Sequence, residues 1–263
     1  MNLPAEYLLK QSDAAVLWLE KYTLTKGEFE LHELRVHLKR IRAVLDFVAY
    51  LNLHPQKEKQ LLSRLHSIAH EAGFIRDSQL IIKWLKKNRY HLLLHESSIE
   101  KKLDMSVELF INDYKKTKKQ LRKIQNNTLV YTRKINNKTI LKFLKSKNQF
   151  LFEALKKVKQ DQWHDVRKAI KKLLYAIHWM QEKDKIKLLT IKKFNNLDLL
   201  QDAIGNWHDA VQIKSWLSNE QFFLNSNEPV RLQFNKSWEK IQKEIAVQEK
   251  AVIRILRNKT SGW

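Results

Sequence analysis

The sequence predicts an all-α protein of two similar helical bundles, related by a pseudo-two-fold axis and produced by an internal duplication. Only four Gly and three Pro occur in 263 residues, which leaves few turns for a many-stranded sheet. Apolar residues recur at helical spacing, as in Leu34, Leu38, Ile41 and Leu45, a pattern typical of amphipathic helices. Marked residues also repeat at one fixed offset, which indicates two copies of one unit.

Helix start and stop signals divide the first half into five predicted helices. Pro4 suits the first turn of the opening helix, and Gly27 separates that helix from the next. His54 and Pro55 then end the second helix. The predicted ranges are 4–22, 28–51, 56–71, 75–87 and 95–124.

A polar connector is predicted between the halves. Residues 125–128 and 136–139 are polar and rich in Asn, a composition typical of a connector followed by the N-cap of a helix. We therefore expect a first half over 1–126, a connector over 127–139 and a second half over 140–263, all within one domain of 1–263. The second half is predicted to hold helices at 140–159, 162–181, 185–204, 207–218 and 228–257.

One offset of 132 positions aligns marked residues of the two halves without a gap. Self-similarity of this kind indicates a duplicated helical unit, and we expect the two copies to be related by a pseudo-two-fold axis. The aligned pairs are His32 with His164, Arg35 with Arg167, Lys39 with Lys171, Arg40 with Lys172, Gly73 with Gly205, Asp77 with Asp209 and Trp84 with Trp216.

The repeated helix has a cationic face opposite its apolar face. Like charges three or four positions apart repel each other by a few tenths of a kcal/mol per pair, and a bound polyanion would relieve that repulsion. The cationic residues form a stripe along the helix. From His32 to Arg42 this stripe extends about 15 Å, enough to contact several successive phosphates. In the second half the position that corresponds to Arg42 is occupied by Leu174. The candidate polyanion-binding residues are His32, Arg35, Lys39, Arg40, Arg42, His164, Arg167, Lys168, Lys171 and Lys172.

The net charge requires an anionic partner but does not choose one. Fifty Lys and Arg face 28 Asp and Glu, a formal charge of +22. Polyphosphate, nucleic acid, inositol phosphates and anionic membranes all satisfy this balance. The absence of cysteine excludes disulfides, thiolate catalysis and cysteine-based zinc sites. The start lacks the pattern of a signal peptide, and apolar runs are too short to cross a bilayer, so we expect a cytoplasmic protein without a membrane partner.

Four segments resemble the motifs of one family. Residues 32–42 read His-Glu-Leu-Arg-Val-His-Leu-Lys-Arg-Ile-Arg and residues 164–172 read His-Asp-Val-Arg-Lys-Ala-Ile-Lys-Lys; both resemble the signatures of CHAD (conserved histidine alpha-helical) domains. Residues 72–77, Ala-Gly-Phe-Ile-Arg-Asp, and 204–209, Ile-Gly-Asn-Trp-His-Asp, are similar to the second motif of that family. Together the resemblance covers nearly the whole chain.

The resemblance implies two helical bundles whose basic surface binds inorganic polyphosphate without catalysis, at cytoplasmic polyphosphate granules. Other polyanions remain possible partners. By motif position the binding role carries over to His32, Arg35, Lys39, Arg40, Arg42, His164, Arg167, Lys171 and Lys172.

Several alternatives compete with this interpretation. A protein that binds RNA or DNA through the same basic surface is the main one, although Trp84 and Trp216 fit core packing better than base stacking. A phosphoanhydride-cleaving enzyme would need a carboxylate cluster for metal; Glu28, Glu30 and Glu33 fit the first turns of a helix instead. No cofactor is expected.

Four further features of the sequence have a local interpretation. The pairs His66 with His70 and His91 with His95 have metal-ligand spacing but no obvious third ligand, so no metal is expected. Residues 115–147 hold twelve Lys or Arg and no carboxylate; this region either clamps the ends of the polyanion or is a solvated segment. Asp77 and Asp209 are interpreted as structural residues at helix starts. If His32 and His164 contact phosphate, binding should strengthen as the pH falls through about 6.5.

Overall fold

The computed structural model describes residues 3–132, 135–179 and 190–259, and these residues contain no strand. The all-α prediction is confirmed. Short 3₁₀ helices occur at Gln160–Gln162 and Gln221–Asn225. The α-helices are α1 (Leu3–Thr25), α2 (Glu28–Leu51), α3 (Pro55–Lys87), α4 (His91–Glu96), α5 (Ile99–Asn112), α6 (Tyr114–Thr132), α7 (Asn137–Lys156), α8 (Trp163–Ile177), α9 (Ile191–Asn219) and α10 (Glu228–Lys259).

The larger hydrophobic core runs through both halves of the chain. Leu34, Leu38 and Ile41 of α2 are buried in it, as are Val166 and Ile170 of α8. These are the apolar faces that the sequence predicted for the repeated helix. Helix α2 also contacts α8 directly, so the two helices with similar cationic patterns are neighbours in the fold.

A second, smaller core joins the C-terminal parts of α3 and α9 to α4 and α10. Trp84 is buried there, and its indole Nε1 donates to Glu244 of α10 at 2.8 Å. Trp216 packs against the same core while partly exposed. The predicted core role of both tryptophans is confirmed. Within the described ranges, no helix combines the length and apolar character that a membrane crossing requires.

Helices α3 and α9 are continuous through their glycines, contrary to the sequence-based expectation. The breaks predicted at 72–74 and 205–206 are wrong, because Gly73 and Gly205 lie in helix interiors. Asp77 and Asp209 therefore lie in mid-helix and not at helix starts, so the helix-dipole explanation for them is wrong. An interior Gly costs a helix about 1 kcal/mol relative to Ala.

The polar segment 125–128 is also helical, since α6 continues to Thr132. Gln125 and Thr128 are buried, and the Thr128 hydroxyl donates to the Ile124 carbonyl at 2.6 Å. This back-bond satisfies the polar side chain inside the helix. The predicted N-cap of α7 is confirmed: the Asn136 side chain accepts from the Thr139 backbone N–H at 2.9 Å.

The predicted helix 95–124 is divided into α4, α5 and α6, whereas α10 is unbroken. Helix α3 ends at Lys87 and α9 ends at Asn219, which lies 132 positions later. The internal duplication and its pseudo-two-fold axis stay predictions. The boundaries predicted at 181 and 185 lie outside the described residues.

Candidate anion-binding site

Five cationic side chains meet where the two halves join. Arg35 and Lys39 come from α2, Arg76 from α3, and Arg167 and Lys171 from α8; all are half-buried. The charges of the other four all act on Lys39, so the five form one group, called here the central basic cluster. The contact between α2 and α8 brings the cationic residues of the two helices together.

Positive charge in this cluster is only partly compensated, by carboxylates such as Asp77 and Asp209 that act on Arg35 from beyond ion-pair distance. Burial, followed by the charges of Arg35, Lys171 and Arg167, lowers the pKa of Lys39 from 10.5 to about 7. Burial likewise lowers the pKa of Lys171. Four of the five cations, Arg35, Lys39, Arg167 and Lys171, form no ion pair with any described residue. A bound anion would supply the missing negative charge.

The fifth cation, Arg76, ties the halves together. Its guanidinium donates to Asp209 of α9 at 2.7 Å and lies 3.7 Å from Asp77. Burial raises the pKa of Asp77, an effect that Arg35 opposes. The two aspartates thus act on arginines of the cluster. Sequence reasoning missed Arg76 as a site residue because it lies outside the repeated stripe; its place beside the repeated Asp77 was the available signal.

The interior glycines accommodate the arginines of the first motif. A Cβ on Gly73 would lie 3.1 Å from Nη1 of Arg35, and a Cβ on Gly205 would lie 3.0 Å from Nη2 of Arg167. Nε of Arg167 also donates to the backbone carbonyl of Gln201 at 3.2 Å. In each half, therefore, the arginine of the first motif rests against the glycine of the second. This close approach explains a glycine at two positions where a helix favours alanine.

The repeated histidines lie at the edge of the cluster and are neutral at pH 7. Desolvation lowers the pKa of His32, and the cations Lys39 and Arg35 add to the effect. Burial, then the neighbouring His208, lowers the pKa of His164 to about 4. The rings of His164 and His208 stack at 4.4 Å between centroids. The pKa values of both histidines therefore lie below 6.5 in the free protein. Their protonation is not expected to strengthen binding as the pH falls through 6.5.

Three other predicted binding residues have partners elsewhere. Arg40 donates to Gln11 of α1 at 3.3 Å. Lys168 lies 3.2 Å from Asp165, and Lys172 pairs with Asp46 of α2 at 2.9 Å.

Lys168 and Lys172 line a cleft of about 320 Å³ between α7 and α8. None of the five residues of the central basic cluster lines this cleft. Arg42 is half-buried and forms no ion pair in the described part of the chain. Binding roles for these four stay predictions.

The basic region 115–147 is partly engaged with α1. Lys118 pairs with Glu20 at 2.7 Å, and Arg122 pairs with Asp13. These contacts give part of the region a structural role that its sequence did not reveal.

The two histidine pairs lie on different helices, one on α3 and the other on α4. His66 and His70 stack with 6.0 Å between ring centroids, and His95 lies 3.4 Å from Glu96. Among the described residues no three His, Cys, Asp or Glu side chains are grouped closely enough to hold a metal ion.

Solved structures of other proteins share this architecture. PptA from Streptomyces chartreusis superposes with a TM-score of 0.66 at 13% identity, covering 97% of this chain and 98% of the other. The crystal structure of the CHAD domain from the plant Ricinus communis gives a TM-score of 0.64 at 14% identity, with coverages of 97% and 88%. At these identities the likeness shows a shared fold.

A search of curated proteins finds no match. The family model of the CHAD domain matches residues 6–218, which include both copies of each motif. Since this match spans most of its length, the chain belongs to the CHAD domain family.

Proposed function

We propose that the protein binds inorganic polyphosphate, without catalysis, in the central basic cluster. The observation that carries this proposal is the group of four half-buried cations, from both halves, that have no carboxylate oxygen of a described residue within ion-pair distance. Membership of the CHAD family, for which the motifs imply polyphosphate binding, supports the same ligand. We further propose that the protein acts at cytoplasmic polyphosphate granules.

The side-chain chemistry of the cluster suits a chain of phosphates. Each Arg guanidinium offers a planar fork that can bind two oxygens of one phosphate, while Lys39 and Lys171 act as point charges. Polyphosphate carries negative charge on every repeat, so several cations can act on one ligand at once. Release of condensed counterions then adds to the affinity and makes it fall with salt.

Binding of an anion would also offset the lowered pKa of Lys39, because a nearby negative charge favours the charged amine. The pKa of this residue is about 7 in the free protein, and a phosphate beside the amine favours its charged form. Binding is therefore coupled to uptake of a proton near neutral pH. The coupling gives the proposal a signature that a purely superficial attraction between opposite charges would lack.

The experiment that tests the function compares ligands of similar charge density. Long-chain polyphosphate and single-stranded RNA are titrated against the protein at near-physiological salt. We expect polyphosphate to bind at least about tenfold more tightly, since non-specific binding to nucleic acid is weak at that salt. A preference for RNA would contradict the proposal and favour a nucleic-acid-binding function.

Catalysis is tested separately. The protein is incubated with long-chain polyphosphate and Mg²⁺ or Mn²⁺, and free phosphate is measured over time. We expect no release above a protein-free control. Release that depends on protein concentration would overturn the non-catalytic part of the proposal.

A further inference from the structure

Two open clefts on the first half form one continuous groove. One, of about 530 Å³, is lined by His32 and Arg76 at the edge of the central basic cluster. The other, of about 840 Å³, is lined by Lys26, Lys86 and Lys87. The two clefts share the lining residues Glu28, Gln79 and Lys83. The groove, called here the α3 groove, thus leads from the cluster along α3.

The α3 residues of this groove lie on one face of the helix. Arg76, Gln79, Lys83, Lys86 and Lys87 follow each other at intervals of three or four positions or as neighbours, so their side chains form a row. From Arg76 to Lys87 the row extends about 16 Å along the helix axis. A ligand that fills it must therefore be extended, as a polymer chain is.

The basic row belongs to one half only. At the offset of 132 positions, Lys83, Lys86 and Lys87 correspond to Ser215, Ser218 and Asn219 of α9. By contrast, Arg35 and Lys39 have cationic counterparts at that offset. The lysines of α3 are thus an addition to the shared cluster, and they extend the cationic surface in one direction.

Carboxylates in the groove balance part of its charge in the free protein. Glu28 lies 3.7 Å from Lys83 and Glu100 lies 3.0 Å from Lys86, and all four side chains are largely exposed. Asp104 also lines the groove. Exposed ion pairs of this kind contribute little, so a phosphate chain can replace the carboxylates as partner of the lysines.

We propose that the α3 groove binds a continuation of the same polyphosphate chain whose first segment occupies the central basic cluster. This inference rests on the proposed function and adds to it a dependence on chain length. Tripolyphosphate fills the cluster alone, whereas a long chain also contacts Lys83, Lys86 and Lys87. Affinity therefore increases with length until the groove is occupied.

The test is a triple variant, Lys83→Gln with Lys86→Gln and Lys87→Gln, titrated with tripolyphosphate and with long-chain polyphosphate. Its matched control removes three exposed lysines at the same kind of spacing on α10, by Lys236→Gln, Lys240→Gln and Lys243→Gln. Both variants lose three positive charges, so any difference between them depends on the position of the charges.

We expect the groove variant to lose affinity for long-chain polyphosphate roughly tenfold or more and to keep its affinity for tripolyphosphate within about twofold. The slope of log affinity against log salt should fall by about two to three for the long chain, because three phosphate contacts are lost. The control should change long-chain binding by less than about threefold. An equal loss in the two variants, or an equal loss for the two ligands, would overturn the groove.

A second variant tests the groove in the opposite direction. Glu28→Gln with Glu100→Gln removes the carboxylates that pair with the groove lysines and should tighten binding of the long chain severalfold, with tripolyphosphate little changed. No gain for the long chain would also count against the groove. If the wild type binds tripolyphosphate and the long chain equally well, the groove inference alone is contradicted. If it binds neither ligand, the proposed function is contradicted as well.

Discussion

Removal of the buried amine at Lys39 should make the free protein more stable and a weaker binder. The pKa of Lys39 falls from 10.5 to about 7, a difference of about 3.5 units, so charging this amine in the folded protein is disfavoured by up to about 5 kcal/mol. Met retains most of the length of the side chain without the charge. Replacement of buried ionic groups by well-packed apolar side chains of similar volume is neutral or stabilising, by up to about 4 kcal/mol. We expect Lys39→Met to gain about 1 to 3 kcal/mol at pH 6.

The gain should depend on pH in a defined direction. Because the pKa of Lys39 is lower in the folded than in the unfolded chain, the unfolded state holds one more proton between pH 7 and 10.5. Stability of the wild type therefore rises with pH through that window, and the full penalty is present below about pH 7. The advantage of the Met variant should be largest at pH 6 and smaller at pH 9.

Urea unfolding at pH 6 and pH 9, without polyanion, measures this directly. The control is Lys168→Met, which removes a largely exposed lysine and should change stability by less than about 0.5 kcal/mol. The polyphosphate affinity of Lys39→Met is measured in parallel and should be reduced. A Met variant that is less stable than wild type at pH 6, or that binds polyphosphate as tightly, would refute the reasoning.

Three further predictions follow from the same contacts. Polyphosphate affinity should fall as pH rises through about 7, because the amine of Lys39 loses its proton there. No separate step is expected at pH 6.5, since the pKa of His164 is about 4. Equal affinities in titrations at pH 6, 7 and 8 would contradict this prediction. Gly73→Ala with Gly205→Ala should weaken polyphosphate binding severalfold, since each new Cβ displaces a guanidinium. Thermal stability should be kept or raised, because Ala is the better helix former. An unchanged affinity in calorimetric titration would contradict the role of the glycine contact in binding. Arg40→Ala should destabilise the protein by about 1 to 3 kcal/mol, because the hydrogen bond to α1 and the packing of the side chain are lost. Its affinity for polyphosphate should stay within about threefold of wild type. Chemical unfolding and calorimetric titration measure the two effects, and a large loss of affinity at unchanged stability would show that Arg40 belongs to the binding site.

The local features of the fold could be predicted from the sequence. Helix α2 begins and ends where its periodicity and flanking residues place it, at Glu28 and Leu51. The apolar residues Leu34 and Leu38 lie in the core as predicted. Amphipathic spacing carries this information within a single helix.

Where several signals conflict, the sequence predicted the wrong local structure. A glycine in each of α3 and α9 suggested a break, but the backbone stays helical, and Gly73 and Gly205 make room for arginines of another helix. Polar residues at 125–128 suggested a loop, but Thr128 bonds back to its own helix. In both cases a tertiary or side-chain contact outweighs the local propensity.

The convergence of the stripes could not be predicted at all. Helical periodicity places Arg35 and Lys39 on one face of α2, but it does not show what covers that face. The contact with α8 joins residues 132 positions apart, and no local pattern encodes such a distance. For the same reason the pair between Arg76 and Asp209 and the paired state of Lys168 and Lys172 became visible only in the folded chain.

The central claim is that the cluster at the junction, and not the total charge, binds polyphosphate. Two variants that each remove two positive charges test it most directly: Arg35→Gln with Arg167→Gln in the cluster, and Lys168→Gln with Lys172→Gln outside it. Charge-assisted hydrogen bonds contribute about 1.5 to 3 kcal/mol each. The loss of two should therefore cost about 3 to 6 kcal/mol, so the cluster variant should bind long-chain polyphosphate at least about 100-fold more weakly. The outer variant should lose only about two- to threefold. Equal losses in the two calorimetric titrations would contradict the claim and assign the binding to the overall charge of the surface.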